Sequence, residues 1–316
     1  MRYSISLFWL IAMTGCLALG CRGQTTLVED TQVPGDDEDR AIRPDDSTDP
    51  LKHKWKKVKF EPHWMQAVPG DTPELFAEGI ISVKGKNSHA LNFSPDGKTM
   101  VFSRYPDRKS YVMTYGDGGW SDPEDAYFLG KEVCFSRDGR TVFSYHEGEL
   151  YSCAYPNAPG VEQRKLIFER GRPEFGYYPY ITNSGNFYFS SNSNWDEGRI
   201  MRSRCVDGVY TEPVDLGLPI NQGGASHAYI APDESYMLFN SPREGSHTAL
   251  DIWISFRAAD GSWGEPINVG ETINSGAHAI LCPTVTPDGK YLFFTRLDNG
   301  DGNLYWVSTA FIERLK

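Results

Sequence analysis

The stretch FSPDGKTMVFSR, residues 93–104, decides how the whole chain is read. An apolar residue leads into an Asp-Gly turn, and a run rich in aromatic and β-branched residues leaves it: the signature of a β-hairpin. Near copies follow as FSRDGRTVFSY (135–145), ITNSGNFYFSS (181–191), IAPDESYMLFNS (230–241) and VTPDGKYLFFTR (285–296). Their leading residues Phe93, Phe135, Ile181, Ile230 and Val285 stand 42, 46, 49 and 55 residues apart, so the hairpin is one part of a repeat.

Each copy continues into a third strand: YVMTY (111–115), LYSCA (150–154), RIMRS (199–203), DIWIS (251–255) and LYWVS (304–308). Fourth strands follow GGWSDPE, GVYTEPVDLG and GSWGEPINVG, with RKLIF (164–168) as the degenerate member. Four strands, five times over, predict an all-β chain folded as a five-bladed β-propeller, in which radial repetition keeps sheet edges short. Six blades is the alternative, if the segment ahead of the first copy supplies more than one strand. The fifth copy has no fourth strand, and LFAEGIISV (75–83) has no sheet of its own. Donating that N-terminal strand to the last blade would close the ring. Aligned on the turns, Phe102, Phe143, Phe189, Phe239 and Phe294 form one column, expected to pack blade on blade. Ser103, Ser144, Ser190, Asn240 and Thr295 follow on the opposite face.

The Ser-Pro-Asp-Gly-Lys hairpins, the Trp-x-Glu-Pro-type turns and the closing DGNLYWVS are similar to the WD-like repeats of TolB-type propeller proteins of bacterial envelopes. The resemblance covers residues 75–316 and departs at repeat three, where TNSGN replaces Pro-Asp-Gly, and at the short repeat two. It implies a propeller in the periplasm or at the cell surface that binds protein partners or sugars, and it implies no single activity.

Outside the repeats, Arg2 precedes the uncharged run YSISLFWLIAMTGCLALGC, residues 3–21, which reads as an export signal. Cys16 and Cys21 each follow small residues, as in the bacterial lipoprotein signals they resemble. Cys21 is the expected lipidation site, because polar residues follow it at once. Ordinary secretion and an uncleaved anchor stay open. Residues 22–60 read as an acidic tether with a basic end, since 29–49 hold nine acidic side chains against Arg40 and Arg43. The propeller is assigned to 61–316. Net charge is -11, which excludes wrapping nucleic acid. Cys134, Cys153, Cys205 and Cys282 fall in unlike columns and are expected as free thiols rather than disulfides.

In a propeller, the loop entering the first strand and the loop leaving the second share one face, around the channel mouth. The first set holds His89, Glu132, Tyr177, Tyr178, His227 and His278; the second holds Arg104, Tyr145, Asn192, Arg243 and Arg296. The ligand-binding set expected here is His89, Arg104, Glu132, Tyr178, His227, Arg243, His278 and Arg296. Three readings compete. These can be ordinary polar residues of a binding face. They can form a carbohydrate-active site, with Arg holding an acidic sugar's carboxylate while His or Tyr moves a proton. His89, His227 and His278 can also be read as a metal site. DNGDGN (298–303) carries calcium-like oxygen ligands but lacks the distal Glu, and a tight turn is expected instead. HEGE at 146–149 lacks zinc-protease spacing. The chain is therefore expected to be an exported, membrane-tethered, monomeric binding or scaffold module for an envelope protein or anionic glycan, needing no cofactor. A lyase or hydrolase acting on an acidic oligosaccharide is the alternative.

Overall fold

The turn chemistry of the repeats is realised by side chains that close each hairpin on itself. The computed structural model describes residues 63–316 except 108, 127–128, 157–162, 170–175, 192–193, 195 and 207–208. The expected signal, Cys21, the tether and Asn192 lie outside the described residues. In the first hairpin Asp96 Oδ1 accepts the Ser94 hydroxyl (2.5 Å) and the Lys98 N–H (3.0 Å), while Ser94 Oγ accepts the Thr99 N–H (2.9 Å). Asp138 with Ser136 and Asp288 with Thr286 repeat the pattern. Gly97 has φ +76°, a conformation that Gly adopts without steric cost.

After β1 (Glu74–Leu75) the described strands form four sheets that divide into five consecutive antiparallel units, the fifth and first being joined in one sheet by parallel pairing of Asn87 with Gly302. The first holds β2 (Asn87–Phe93), β3 (Thr99–Tyr105) and β4 (Lys109–Gly116), with β5 (Gly119–Trp120) and β6 (Glu124–Asp125) on β4. The second holds β7 (Lys131–Phe135), β8 (Thr141–His146), β9 (Glu149–Ala154) and β10 (Arg164–Lys165). The third holds β11 (Tyr177–Ile181), β12 (Asn186–Ser191) and β13 (Arg199–Val206), with β14 (Val209–Tyr210) and β15 (Val214–Asp215) on β13. The fourth holds β16 (Ser226–Ile230), β17 (Tyr236–Ser241), β18 (Asp251–Phe256) and β19 (Ile267–Asn268). The fifth holds β20 (Ala279–Val285), β21 (Tyr291–Asp298) and β22 (Asp301–Ser308), before a short helix α1 (Ala310–Leu315) that the repeat pattern does not foretell. The protein is all-β, built of small antiparallel sheets in a propeller-like arrangement. The DNGDGN and HEGE motifs both lie at hairpin tips. Asn299-Gly300 within the first and Glu147-Gly148 within the second have positive φ, so each is a tight turn.

The first strands touch in a cyclic order: β2 with β7, β7 with β11, β11 with β16, β16 with β20, and β20 with β2. At the junction of the fifth and first units, Glu74 pairs with Trp306 and Leu75 with Tyr305, so β1 supplies the strand β22 lacks. That donated strand is shorter than the 75–83 segment expected. The Phe76 N–H still reaches Leu304 O (2.8 Å), but Ala77 at φ +48° then turns the chain away. Trp64 covers the same junction, packing on Phe93, Tyr291, Phe293 and Trp306.

All five Phe of the expected column are buried, but the ladder corrects the alignment of one. Phe102, Phe189, Phe239 and Phe294 pair with Tyr111, Met201, Trp253 and Tyr305 of the third strands. In the second unit the equivalent partner, Tyr151, pairs with Ser144, and Phe143 pairs with Ser152. A one-residue slip moves a strand's side chains to the other face. Ser144 therefore stands in the Phe column, and Tyr145 in the column of Ser103, Ser190, Asn240 and Thr295. The four cysteines are free thiols, and all but Cys205 are buried.

Candidate functional site

Every first strand carries the same irregularity. Pairing shifts between His89 and Asn92, Lys131 and Cys134, Tyr177 and Tyr180, Ser226 and Tyr229, and Leu281 and Thr284. Inside each shift lies a residue other than Gly with positive φ: Ala90 (54°), Glu132 (51°), Tyr178 (51°), His227 (48°) and Cys282 (55°). These are β-bulges, one extra residue opposite the partner strand. Such backbone persists only where its surroundings over-determine it. Here the neighbouring unit does so. Ser103 Oγ accepts the Glu132 N–H (3.1 Å), Ser190 Oγ the His227 N–H (2.8 Å), and Asn240 Oδ1 the Cys282 N–H (2.9 Å). The polar column is thus a set of fasteners between units. Tyr145 breaks it in the second unit, and there Glu132 Oε2 accepts the Tyr178 N–H (2.9 Å) instead.

The bulges bring one part of the expected set together. Tyr178 reaches from the third unit to the fifth, donating to Pro283 O (3.1 Å) and lying 3.2 Å from Thr284 Oγ1. His227 sits edge-on to Tyr177 (5.3 Å) and Tyr178 (5.1 Å), and Tyr145 lies 6.3 Å from Tyr177. Lys131 Nζ hangs 6.0 Å over the Tyr145 ring. Ala90, Tyr177, Tyr178, Leu250, Leu281 and Cys282 make the apolar wall. At the turn end, a recess draws Asn92, Cys134, Tyr180, Tyr229 and Pro287 from all five units, which marks the other end of the same axis.

Burial governs the titration of this cluster. It pushes the Glu132 carboxyl up to about 7, against the Tyr178 N–H and the Lys131 charge, which pull it down. It pushes His89 down to about 4 and His227 to about 3, the latter helped by His89. Both imidazoles are therefore neutral at physiological pH. Among the described residues Glu132 Oε1 and the Nε2 atoms of His89 and His227 make no hydrogen bond.

The remaining expected residues lie elsewhere. Arg104 stacks on Phe102 and Tyr111 (5.1 and 4.7 Å) and donates to Ile80 O and Ile81 O (3.0 and 3.1 Å). Arg243 stacks on Phe239 and Trp253 (5.0 and 5.3 Å) and donates to Pro219 O and Ile220 O. Arg296 stacks on Phe294 and Tyr305 (5.8 and 4.5 Å) and donates to Thr272 O (3.5 Å). Guanidinium suits this task, since its flat face stacks while its edge donates. Three arginines thus tie a sheet face to the connection entering the unit, and they build no common positive wall. His278 is exposed, immediately ahead of β20 and outside the bulge at Cys282, and does not join His89 and His227. Among the described residues no group of three or more His, Cys, Asp or Glu is placed to hold a metal ion. Sequence reasoning missed Cys282 and Lys131; counting back three residues from the Phe93, Phe135, Ile181, Ile230 and Val285 column finds the whole bulge set.

No protein-family model and no curated protein matches the sequence. Among solved structures, TolB from Acinetobacter baumannii is 12% identical with a TM-score of 0.47, over 70% of this chain and 54% of that one. A protein described as putative TolB from Agrobacterium tumefaciens is 17% identical with a TM-score of 0.46, over 71% and 78%. An oligogalacturonate lyase in complex with manganese is 13% identical with a TM-score of 0.41, over 80% and 96%. This chain thus spans about half the length of the first of these. All three scores are below 0.5, and the fold rests on the strand pairing above.

Proposed function

We propose that this chain is an exported, membrane-tethered five-bladed β-propeller that acts as a binding or scaffold module for an envelope protein or glycan, through the mouth of its axis. The five units are its blades, and β1 closes the ring. One observation carries the reading. The first strands follow one another in a closed cycle, and their bulges gather polar groups, some unbonded, at one end of the axis. The lipid anchor at Cys21 and the periplasmic or surface location come from the N-terminal sequence. Export with lipidation predicts that a fatty-acid probe labels the wild type and not Cys21→Ser. Labelling of both would move the anchor to Cys16, and labelling of neither would remove it. Cross-linking and pull-down from a solubilised envelope then tests the binding role. It is expected to return a specific protein, or a glycan on an array, whose capture weakens when Tyr177 is changed.

One observation favours the catalytic alternative. Glu132 and His227 both adjoin Tyr178, and a carboxyl held near 7 in one cluster with a neutral imidazole is suited to proton transfer. Release of unsaturated or reducing ends from uronate oligosaccharides, abolished in Glu132→Gln, would establish it.

A further inference from the structure

We infer that the turn end of the axis carries a binding site of its own, in which Arg137 grips a single carboxylate presented by the chain of a partner protein. This site lies at the opposite end from the mouth and goes beyond the reading above. Arg137 is an exception among the hairpin tips. The Gly97 N–H bonds to Ser94 O, and the Gly139 N–H to Ser136 O, so Pro95 and Arg137 each stand second in a four-residue turn. Pro287 and Pro232 hold that place in the fifth and fourth units, and Asn183 in the third. Pro is favoured there because its fixed φ suits the turn, so turn chemistry does not account for the Arg. The two departures from Pro meet in space. Arg137 Nε donates to Asn183 Oδ1 (3.1 Å), and the guanidinium is thereby held from the neighbouring unit. Its two Nη atoms make no hydrogen bond or ion pair among the described residues.

Arg137 lines the recess at the turn end, and no acidic residue lines it. Tyr180 and Tyr229 are buried there, edge-on to each other at 5.1 Å with their hydroxyls bonded together, which makes a fixed floor. Asn92 Oδ1 accepts the Phe93 N–H (2.9 Å), so the amide is oriented and its Nδ2 remains a donor without a hydrogen bond among the described residues. A forked guanidinium with an amide donor across the same recess fits a carboxylate, whose two oxygens take parallel N–H bonds. Charges around the rim leave Arg137 in excess. Asp96, Asp138 and Asp288 are bonded within their own hairpins and are followed two residues on by Lys98, Arg140 and Lys290. Glu234 is paired with Arg257, and Asp233 lies in the field of Lys316. The recess is shallow, with room for little more than one water-sized group. It therefore takes the end of a side chain or of a peptide, and the exposed tips around it, Lys98 and Arg140 among them, supply the remaining contacts. A free small acid would gain only the recess.

The full chain in detergent is labelled and sorted against three bead libraries of acetylated octapeptides with otherwise neutral residues. One has a central Glu and an amidated end, one a central Gln and an amidated end, and one a central Gln and a free C-terminal carboxylate. Capture is expected from a carboxylate library and not from the neutral one, and the library that is captured tells a side chain from a chain end. Removing the carboxylate from a selected peptide is expected to weaken binding roughly tenfold or more, as is Arg137→Ala in the protein, because each removes hydrogen bonds to a charged group. Arg137→Lys keeps the charge without the fork and is expected to fall between wild type and Arg137→Ala. Asn183→Ala frees the guanidinium and is expected to weaken binding several-fold. Unfolding temperatures are measured alongside, and weakened binding by Arg137→Lys at a wild-type unfolding temperature separates lost recognition from lost fold. Equal capture by all three libraries, capture by none, or binding indifferent to Arg137→Ala would each overturn the inference. Succinate binding as tightly as the peptide would overturn it too, since the ligand would then be a free acid.

Discussion

Two glutamates, half-buried Glu132 and buried Glu234, both hold positive φ and both join one unit to the next, yet they titrate in opposite directions. Glu234 sits in the β16–β17 turn where the other four repeats have Gly97, Gly139, Gly185 and Gly289, and its carboxylate reaches back into the third unit. Thr182 Oγ1 (2.9 Å), Asn186 Nδ2 (2.7 Å), Tyr188 OH (3.1 Å), Ser184 Oγ and Arg257 all donate to it. Burial pushes this carboxyl up, but the hydrogen bonds from Ser184, Asn186, Thr182 and Arg257 overcome it and hold the group down to about 2. At Glu132 desolvation is opposed by a single backbone N–H and the Lys131 charge, and the carboxyl stays near 7. The number of donors decides the sign. One carboxylate is saturated and structural; the other keeps an oxygen for something else.

The largest effect should come from the saturated one. Glu234→Ala leaves Asn186 Nδ2 and Tyr188 OH without their acceptor and Arg257 with Gly261 O alone, and breaking a largely buried charge pair of this kind costs about 3–5 kcal/mol. A urea melt shows the loss as a lower midpoint. A stability within about 1 kcal/mol of wild type would mean the cluster is held by its other bonds and the contrast is false.

How far the sequence alone reached can be judged at these two residues. The repeat, the third and fourth strands, the strand lent to the last sheet near Leu75 and the free thiols were all legible, because each follows from periodicity or turn chemistry. The TNSGN departure is visible too, but as a blemish. Its meaning, that the irregular turn of repeat three is compensated by Glu234 of repeat four, is a contact between residues far apart in the chain that no local pattern carries. The bulges were hidden for a similar reason: positive φ at Ala, Glu, Tyr, His and Cys has no compositional mark. Of the arginines expected after the second strands only Arg243 follows its strand, while Arg104 and Arg296 lie within β3 and β21; whether a guanidinium faces solvent or an aromatic ring depends on the third-strand neighbour, Tyr111, Trp253 or Tyr305.

A smaller effect, with opposite sign, is expected at Glu132. Between its ordinary value of 4.5 and about 7 the folded state holds a proton that the unfolded chain has released. Its contribution to stability therefore falls as pH rises through that window, then stays level. Glu234 behaves in reverse: its contribution is present above 4.5 and is lost as pH falls towards 2. His89 and His227 add their own loss below 6.5, so the two glutamates are isolated by subtraction from matched variants. At pH 8 Glu132→Gln should stabilise the protein by about 1–3 kcal/mol, and the gain should vanish near pH 4.5. A gain equal at both pH values would show that the carboxyl is not strained by burial.

The smallest effect tests why Glu132 is there at all. Ser103, Ser190 and Asn240 fasten the next unit's bulge, and Tyr145 stands where a fourth such residue would be. If Glu132 stands in for that missing hydroxyl, the two positions are coupled. Tyr145→Ser alone should cost stability through lost aromatic packing. In a Glu132→Ala background, where the Tyr178 N–H has lost its acceptor, the same change offers that N–H a hydroxyl and should cost less by about 1 kcal/mol, the net worth of one hydrogen bond. Denaturant melts of the four proteins give the coupling directly. Changes that add within about 0.5 kcal/mol would separate the two positions and leave Glu132 without a fastening role, so that the open carboxylate would have to be explained by its ligand alone.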